Sequence, residues 1–319
     1  MLVFVCETVT GGGFTGEPLP ESLIAEGSLM RDALISDLED LPGVRVVTTH
    51  DARLPPPERA ESTPIPAGGD PRPEWRRLAA LAHCCWPVAP ERGGELAALA
   101  ALMREANPRV IGPDAATIAI CASKARTAAI LAKAGIAVVP TWRAGEVPAG
   151  ATGPFVLKPD DGAGSEGIHV VDALPASLED GTIVQPLIEG TAASLTLLCQ
   201  SGKAHVLTAN LQHIRRSNGG LRLAGLTVGG LCPDPELQTL AVEVMQALPG
   251  LHGLVGIDYI ATPKGPVVVE INPRLTTSYA GLHRSLGVNP VAFVAELIRD
   301  GVVPELPHLP VPVPVEIRL

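Results

Sequence analysis

The stretch Val267-Val-Val-Glu270-Ile-Asn272-Pro-Arg274 says most about the fold and about a binding site. In a β-strand, residues i and i+2 point to the same face, so Glu270 and Asn272 should project together from the strand end. Oxygen-bearing side chains of this kind are the ligands that Mg²⁺ prefers in proteins. Arg274 would share that face if the strand continued. Taken alone, the E-x-N pattern is also typical of a surface hairpin with charged ends.

The segment before this stretch supplies a second carboxylate. Gly253–Ile260 is predicted to form a strand that carries Asp258, and the turn Pro263–Gly265 would fold that strand against Glu270. Mg²⁺ commonly binds through one or two carboxylates together with the phosphates of a bound nucleotide. We therefore predict that Asp258, Glu270 and Asn272 bind Mg²⁺, with Mn²⁺ as an alternative.

A phosphate site is predicted at the end of another apolar strand, Phe155–Lys158. Lys158 is followed by a glycine-rich turn that contains Gly162 and Gly164. Glycine lets backbone N–H groups approach phosphate oxygens closely, and the lysine can neutralise their charge. The turn is neither a Walker A motif nor a dinucleotide fingerprint, because no helix follows it. Without other evidence it is also compatible with a simple hairpin loop.

Composition restricts the class of protein. The 319 residues are 46% hydrophobic but only 3% aromatic, which indicates a folded chain with an aliphatic core. The net charge of -10 argues against non-specific nucleic-acid binding. We expect a cytoplasmic protein without a signal peptide or membrane span, since long apolar stretches are absent. The six cysteines have neither disulfide-motif nor zinc spacing and are expected to be reduced.

The order of predicted elements divides the chain into three parts. Residues 1–112 alternate strands with helices, as in a small parallel α/β lobe, whereas 113–187 and 188–319 are rich in strands. The predicted fold class is therefore α/β with α+β lobes. Four finer expectations are a loop at Leu54–Pro73, short strands at Val110–Ile111 and Val138–Thr141, and a last helix at about Val291–Arg299.

The order of the chemical features resembles the ATP-grasp superfamily over essentially the whole chain beyond residue 110. In chain order these features are Lys124 at a helix start, Lys158 with its glycine-rich turn, the apolar segment Ile183–Gly190, then Asp258 and Glu270–Asn272. The resemblance implies the ATP-grasp fold, with a small N-terminal lobe and two lobes between which ATP lies. The ATP contacts it implies are Lys124, Lys158, Gly162, Gly164, Gln185, Leu187 and Glu189. Glu189 is included for the ribose because Thr191-Ala192-Ala193 stands where the family usually has an acid.

A narrower resemblance concerns the tyramine–glutamate ligase group of methanofuran biosynthesis. It is carried by Glu270–Tyr279, Asn210–Gln212 and Gly11–Gly13 with Ala25–Met30, although Leu211 stands where arginine is expected. The implied activity is an ATP-dependent ligase that joins L-glutamate to tyramine or tyrosine through an acyl phosphate. Its partners would be a small carboxylate and a small amine, and the subunit number stays open, with a homodimer as one option.

Further residues are predicted to act on the substrates. Arg274 and Arg222 would stabilise developing charge. The predicted substrate contacts are Glu7, Asn210, Gln212, Thr276, Thr277, Ser278 and Tyr279. Surface salt bridges for the arginines and helix caps for the hydroxyls are the plain alternatives, and Glu26 could meet an amine but fits a helix surface better. Two other functions stay open: an ATP-grasp phosphotransferase and a non-catalytic nucleotide-binding protein.

Overall fold

The computed structural model describes residues 1–162, 167–217, 219–298, 306 and 309–319. An N-terminal lobe with a parallel sheet is followed by a large antiparallel sheet with its own helices. This mixed α/β architecture confirms the predicted fold class.

Four parallel strands form the sheet of the N-terminal lobe, in the order β3-β2-β1-β4. They are β1 (Leu2–Glu7), β2 (Arg45–Asp51), β3 (Glu61–Ile65) and β4 (Cys84–Val88), and the helices are α1 (Glu21–Glu39), α2 (Arg72–Leu81) and α3 (Glu95–Ala106). Along β1, Val3 and Val5 enter the core formed with α1, whereas Phe4 and Cys6 enter the core formed with α2 and α3. A strand buried on both faces must be apolar throughout, which explains its sequence.

The predicted loop Leu54–Pro73 was wrong, because it contains β3 and the start of α2. Pro64 lies within β3, at the edge of the sheet, where a missing N–H need not break a ladder hydrogen bond. Pro73 lies in the first turn of α2, where a proline is also tolerated. The prolines that suggested a loop therefore mark an edge strand and a helix start.

Two short helices connect the N-terminal lobe to the large sheet, α4 (Ala115–Cys121) and α5 (Lys124–Lys133). Asp114 caps α4 by accepting from the Thr117 N–H, and Ser123 caps α5 by accepting from the Arg126 N–H. Within the described ranges, no single helix is long and apolar enough to cross a membrane. The pair α4 and α5 passes that test only when taken together, with a bend of 103° between its members.

The large sheet has ten strands, in the order β13-β12-β9-β10-β11-β7-β6-β8-β5 with β14 on β11, and all its pairings are antiparallel. The strands are β5 (Trp142–Arg143), β6 (Phe155–Pro159), β7 (His169–Val171), β8 (Thr182–Pro186), β9 (Thr191–Gln200), β10 (Lys203–Ser217), β11 (Gly220–Leu231), β12 (Gly253–Thr262), β13 (Gly265–Asn272) and β14 (Val315–Arg318). The remaining helices are α6 (Pro235–Ala247) and α7 (Tyr279–Leu286).

The β10–β11 hairpin joins the two strand-rich parts of the chain. Gly220 pairs with His169, and the Val170 N–H donates to the Gly219 carbonyl at 2.7 Å. Residues 113–187 and 188–319 therefore contribute to one continuous sheet, although their division into two lobes stays a prediction.

Three of the short elements predicted from the sequence were wrong. Val110 and Val138 form only isolated bridges, to Cys85 and Val268, because neither segment has a neighbour along more than one residue. Two 3₁₀ turns, Pro290–Phe293 and Ala295–Leu297, replace the predicted last helix, whose final residue Arg299 lies outside the described residues. The sequence analysis missed α4, α7, β11 and β14; the glycines of β11 hide its strand pattern.

Candidate active site

A cavity of about 250 Å³ lies between the large sheet, helix α1 and the start of α5. Lys124 and Lys158 line it together with three carboxylates, Glu26, Asp258 and Glu270. Apolar side chains make up much of the remaining wall. The cavity is therefore a cleft with a few convergent charged groups, the usual form of a small-molecule site.

The three predicted metal ligands lie together at one end of this cavity. Asp258 on β12 is directly opposite Glu270 on β13, and Asn272 follows two residues later on the same face. Val269 has no partner residue on β12, so a β-bulge lies next to the site. This bulge sets the register in which Asp258 faces Glu270. The Asn272 amide donates to Asp258 Oδ2 at 3.2 Å.

The electrostatics of this carboxylate pair favour a bound cation. Burial and then the charge of Glu270 raise the pKa of Asp258 to about 7. Burial also acts to raise the pKa of Glu270, but Lys124 and then Lys158 outweigh it and hold that pKa below its usual value. Two facing carboxylates and an amide form an oxygen-rich donor set, and a divalent cation would relieve their repulsion. These residues therefore fit Mg²⁺.

Lys124 lies at the start of α5, where its side chain bridges two parts of the site. Its Nζ is 3.2 Å from Glu270 Oε2 and donates to the Gly162 carbonyl at 2.5 Å. Gly162 lines the cavity, whereas Gly164 lies outside the described residues.

Asp160 holds this arrangement together and was missed in the sequence. Its carboxylate accepts from Ser123 Oγ at 2.6 Å and from the Ala125 N–H at 2.8 Å. An acidic side chain at a helix N-terminus accepts hydrogen bonds from the free N–H groups there, and its negative charge interacts favourably with the helix dipole. The signal was therefore present in the sequence, but only the fold pairs Asp160 with α5.

Lys158 is buried, with 6% of its surface exposed. Burial lowers its pKa to about 8, and the nearby Glu270 acts in the opposite direction. An anionic partner stabilises the charged form of a buried lysine, and phosphate groups are such partners.

The apolar segment Ile183–Gly190, predicted to contact ATP, lines the cavity with Gln185, Leu187 and Ile188. Two of its donors are engaged, because the Gln185 amide donates to Thr141 Oγ1 at 2.8 Å and the Leu187 N–H to the Pro154 carbonyl at 2.9 Å. The segment therefore gives the cavity an apolar wall next to backbone polar groups. Glu189 is exposed and is not among the described lining residues, so the structure does not support its predicted ribose contact.

The cavity is also lined by Thr276, Thr277 and Ser278, and Thr276 lies beside Asn272 against Gly256. Their substrate contacts stay a prediction. Thr277 Oγ1 donates to Glu26 Oε2 at 3.2 Å, which links this loop to helix α1. Gln212 also lines the cavity, but its amide donates to Asp258 Oδ1 at 3.0 Å. Gln212 therefore lies beside the predicted metal ligands, and its substrate contact stays a prediction.

Arg274 has a partner that the sequence did not indicate. Its Nη2 lies 3.0 Å from Glu91 Oε2 of the N-terminal lobe, and only 12% and 8% of the two side chains are exposed. The pair of Glu91 and Arg274 thus connects the N-terminal lobe to the end of β13. Glu91 Oε1 and Arg274 Nε are buried without a partner among the described residues.

Arg222 borders the cavity but is exposed. It pairs across the hairpin with Arg215, whereas its neighbours Leu221 and Leu223 belong by alternation to the opposite face of β11. Its position for binding a reacting group is therefore weaker than that of Arg274.

Three predicted substrate contacts lie in the protein core instead of the cavity. Glu7 accepts from the N–H groups of Val9 and Thr10, and Tyr279 donates to Asp37 Oδ2 at 2.5 Å. The Asn210 amide donates to Thr196 Oγ1 at 3.1 Å and its oxygen accepts from the Gly229 N–H. These side chains are buried and bonded to the protein, and we correct their predicted roles accordingly.

Comparisons with known proteins agree with this geometry. The model of the ATP-grasp domain matches residues 121–278, and the model of the pre ATP-grasp 3 domain matches residues 44–118. A structure of an ATP-grasp superfamily protein from Archaeoglobus fulgidus superposes with a TM-score of 0.71 at 23% identity, covering 90% of this chain and 85% of the other.

Two curated relatives are similar over part of their length. The tyramine–L-glutamate ligase of Methanocaldococcus jannaschii is 30% identical over 104 residues, which are 33% of this chain and 32% of the relative. The 3-methyl-D-ornithine–L-lysine ligase of Methanosarcina barkeri is 25% identical over 152 residues, 47% of this chain and 40% of the relative. The matched region thus spans about a third to two fifths of these relatives. The two family models, which match residues 44–118 and 121–278, place this chain in the ATP-grasp superfamily, and the superposition agrees with that fold.

Proposed function

We propose that the chain is an ATP-dependent carboxylate–amine ligase that forms an amide through an acyl phosphate. The observation that carries the proposal is the meeting of Asp258, Glu270 and Asn272 with Lys124 and Lys158 at one end of a cavity. The hydroxyls of Thr276, Thr277 and Ser278 line the same cavity and suit a second substrate. Nucleotide and acceptor can therefore occupy one enclosed space.

In this proposal ATP lies along the lysine end of the cavity. The apolar wall of Leu187 and Ile188 contacts the base, and Lys124 and Lys158 neutralise phosphate charge. Asp258, Glu270 and Asn272 hold Mg²⁺, which when bound supplies charge neutralisation on the phosphates. Lys124 and Lys158 attract Glu270 in the structure, and on ATP binding they would contact the phosphates instead. A cation held by Glu270 would then replace the lysines as the positive charge beside that carboxylate.

The chemical sequence has two steps. A substrate carboxylate oxygen attacks the γ-phosphorus of ATP, and ADP leaves; the amine nitrogen then attacks the acyl carbon, and inorganic phosphate leaves. Arg274 stands beyond the metal ligands with its charge held in place by Glu91, where it can orient the anionic acyl phosphate. Thr276 and Ser278 contribute hydroxyls at the same end.

We further propose L-glutamate as the acid and tyramine or tyrosine as the amine, in the biosynthesis of a methanofuran-type one-carbon carrier. The partial similarity to a tyramine–L-glutamate ligase supports this pairing. Apolar side chains of the β10–β11 hairpin support it too, because Ile214, Leu223 and Leu226 line the cavity and can contact an aromatic ring.

Incubation with ATP, Mg²⁺, a panel of carboxylic acids and a panel of amines tests the proposal, with ADP and products measured by mass spectrometry. We expect ADP and an amide in equal amounts, most rapidly with glutamate and an aromatic amine. A phosphorylated substrate without amide would instead indicate a phosphotransferase. Absence of ADP with every pair would indicate a non-catalytic nucleotide-binding protein.

A further inference from the structure

A buried carboxylate of helix α1 holds one face of helix α7. Asp37 is 5% exposed, and its Oδ2 accepts from the Tyr279 hydroxyl at 2.5 Å. Its Oδ1 lies 2.6 Å from His283 Nδ1. Tyr279 and His283 are four residues apart in α7 and therefore lie on the same face of that helix. Both oxygens of one carboxylate of the N-terminal lobe thus contact the face that α7 turns toward α1.

Helix α7 begins directly after the loop that carries the cavity hydroxyls. Thr276, Thr277 and Ser278 line the cavity, and we call the part of the cavity beside them the acceptor end. The Tyr279 N–H donates to the Thr276 carbonyl at 2.9 Å. Thr277 is also joined to α1, because its hydroxyl donates to Glu26 Oε2 at 3.2 Å. A shift or rotation of α7 would therefore move these hydroxyls.

The opposite side of this region contacts the large sheet. Ser278 Oγ lies 2.8 Å from Thr196 Oγ1 of β9. Helix α7 also packs closely on β11, where an added Cβ at Gly281 would lie 2.8 Å from Val228 Cγ2. Apolar packing of this kind limits the distance between α7 and the sheet, but it is not directional. The hydrogen bonds to Asp37 are directional, and they fix how α7 is rotated about its axis.

The place of Thr276 indicates which substrate the loop would contact. An added Cβ at Gly256 would lie 2.6 Å from Thr276 Cγ2 and 3.4 Å from Asn272 Cβ, so Thr276 lies beside a predicted metal ligand. Arg274, proposed to orient the acyl phosphate, lines the same cavity. A carboxylate that attacks the γ-phosphorus must be held beside the metal and this arginine. The hydroxyls therefore suit the acid better than the amine.

We propose that Asp37 and Tyr279 are positioning residues for the acid substrate, because they hold α7 where the hydroxyls of Thr276 and Ser278 can bind it. This inference rests on the proposed function and adds to it a role for a tyrosine that touches no substrate. Tyr279 is 1% exposed and is not among the described residues that line the cavity. Its effect on the acid must therefore pass through the loop that precedes it.

Kinetics of Tyr279→Phe test the inference, because the substitution removes one hydroxyl and keeps the ring that fills the core. ADP release is measured with each substrate varied in turn. In a second assay hydroxylamine replaces the amine, since it traps acyl phosphates as hydroxamates. We expect kcat/KM for the acid to fall roughly 10-fold in both assays, because small misplacements of a bound reactant are costly. KM for ATP and for the amine should stay within about twofold of wild type.

Three further variants separate positioning from a general loss of stability. Thr15→Val removes a 2.6 Å hydrogen bond to the Gly69 carbonyl in the same lobe, and it should lower Tm similarly without changing any KM. Asp37→Asn should affect the acid alone, as Tyr279→Phe does. His283→Ala removes the other partner of the carboxylate at a side chain that is 38% exposed. It should lower kcat/KM for the acid about threefold, and it tests the inference even if the two buried variants unfold.

The outcomes separate the inference from the function on which it rests. Unchanged kcat/KM for the acid in folded Tyr279→Phe, or an equal fall in Thr15→Val, would overturn the inference. A fall for the amine alone would overturn it too, since it would place the amine beside these hydroxyls. No ADP and no hydroxamate from wild-type protein with any acid would contradict the proposed ligase function, and the inference with it.

Discussion

At the scale of single residues, the candidate site depends on one opposed pair of carboxylates. Asp258 and Glu270 face each other across β12 and β13, and Lys124 lies 3.2 Å from Glu270. Burial and the charge of Glu270 raise the pKa of Asp258, whereas Lys124 and Lys158 hold the pKa of Glu270 below its usual value.

Glu270→Ala should abolish ADP release and leave the fold intact. The variant removes a proposed metal ligand and the partner of Lys124, but Glu270 is partly exposed to the cavity and supports no core packing. ADP release and circular dichroism are the measurements. Glu243→Ala on the exposed face of α6 serves as the control, and full activity of Glu270→Ala would contradict the metal assignment.

Glu7 gives a prediction about pH. Burial raises its pKa, so the folded state holds the proton more tightly than the unfolded state. The stability that this gives is complete below the usual pKa of a glutamate and is lost as pH rises through the raised pKa. Glu7→Gln, which cannot titrate, should be less stable than wild type by about 1–3 kcal/mol in acid because a hydrogen-bond acceptor is lost.

The difference between Glu7→Gln and wild type should narrow as pH rises, and urea unfolding at a series of pH values measures it. A constant difference over this range would show that Glu7 does not titrate with a raised pKa. Activity assays would also show whether the correction of its predicted substrate role holds.

Residue patterns predicted that Asp258, Glu270 and Asn272 lie together, but they misplaced several polar residues of the core. Glu270 and Asn272 were found because strand alternation is a local rule, and Asp258 because a turn pairs it with Glu270. Glu7, Asn210 and Tyr279 looked equally functional in the sequence, but their partners come from elsewhere in the fold. Glu91 and Asp160 were missed for the same reason, since their partners are 183 and 37 residues away.

At the scale of elements, the residues that cap the start of α5 also position Lys124 at the lysine end of the cavity. Asp160 bonds to Ser123 and to the Ala125 N–H, while Lys124 between them reaches Glu270. The N-terminal cap of α5 therefore orients Lys124 in addition to stabilising the start of the helix. Residue types predicted the start of α5 correctly. The contact that Asp160, just after β6, makes with this helix start could be seen only in the structure.

Asp160→Ala should lower the free energy of unfolding by about 1 kcal/mol, the usual cost of a lost cap. It should also raise KM for ATP, because Lys124 and Gly162 lose their anchor. Thermal unfolding and ADP release measure the two effects. Asp234→Ala, which removes the side-chain cap of α6, should lower stability similarly without changing KM; equal KM changes in both variants would contradict the link.

The elements most often predicted correctly are those with a strong local period. The strands predicted at Phe155–Lys158 and Gly253–Ile260 agree with β6 and β12, because each has a continuous apolar run. β3 was hidden by prolines and β11 by glycines, and both are strands because a neighbouring strand pairs with them. Tertiary pairing, which no local pattern contains, decided these elements.

At the scale of the whole molecule, the N-terminal lobe contributes to the site through Glu91 and Glu26. Glu91 holds Arg274 from one side and Glu26 meets Thr277 from another, so the acceptor end is built between the lobe and the large sheet. The order of features along the chain predicted the superfamily. It did not predict which residues of the N-terminal lobe reach the cavity.

Glu91→Ala should lower the free energy of unfolding by about 3–5 kcal/mol, because it leaves the Arg274 charge buried without its partner. Urea unfolding measures the change. Glu61→Ala breaks the exposed pair with Arg45 and should cause little or no change. A similar small effect of Glu91→Ala would show that Arg274 finds another partner or solvent.

The most direct test of the central claim, that this cavity forms an amide through an acyl phosphate, is an oxygen-transfer measurement. The protein is incubated with ATP, Mg²⁺, an aromatic amine and glutamate labelled with ¹⁸O in its carboxyl groups, and the inorganic phosphate is analysed by mass spectrometry. We predict one labelled oxygen in phosphate for each amide and each ADP formed. Amide formed with unlabelled phosphate, or with AMP in place of ADP, would contradict the account.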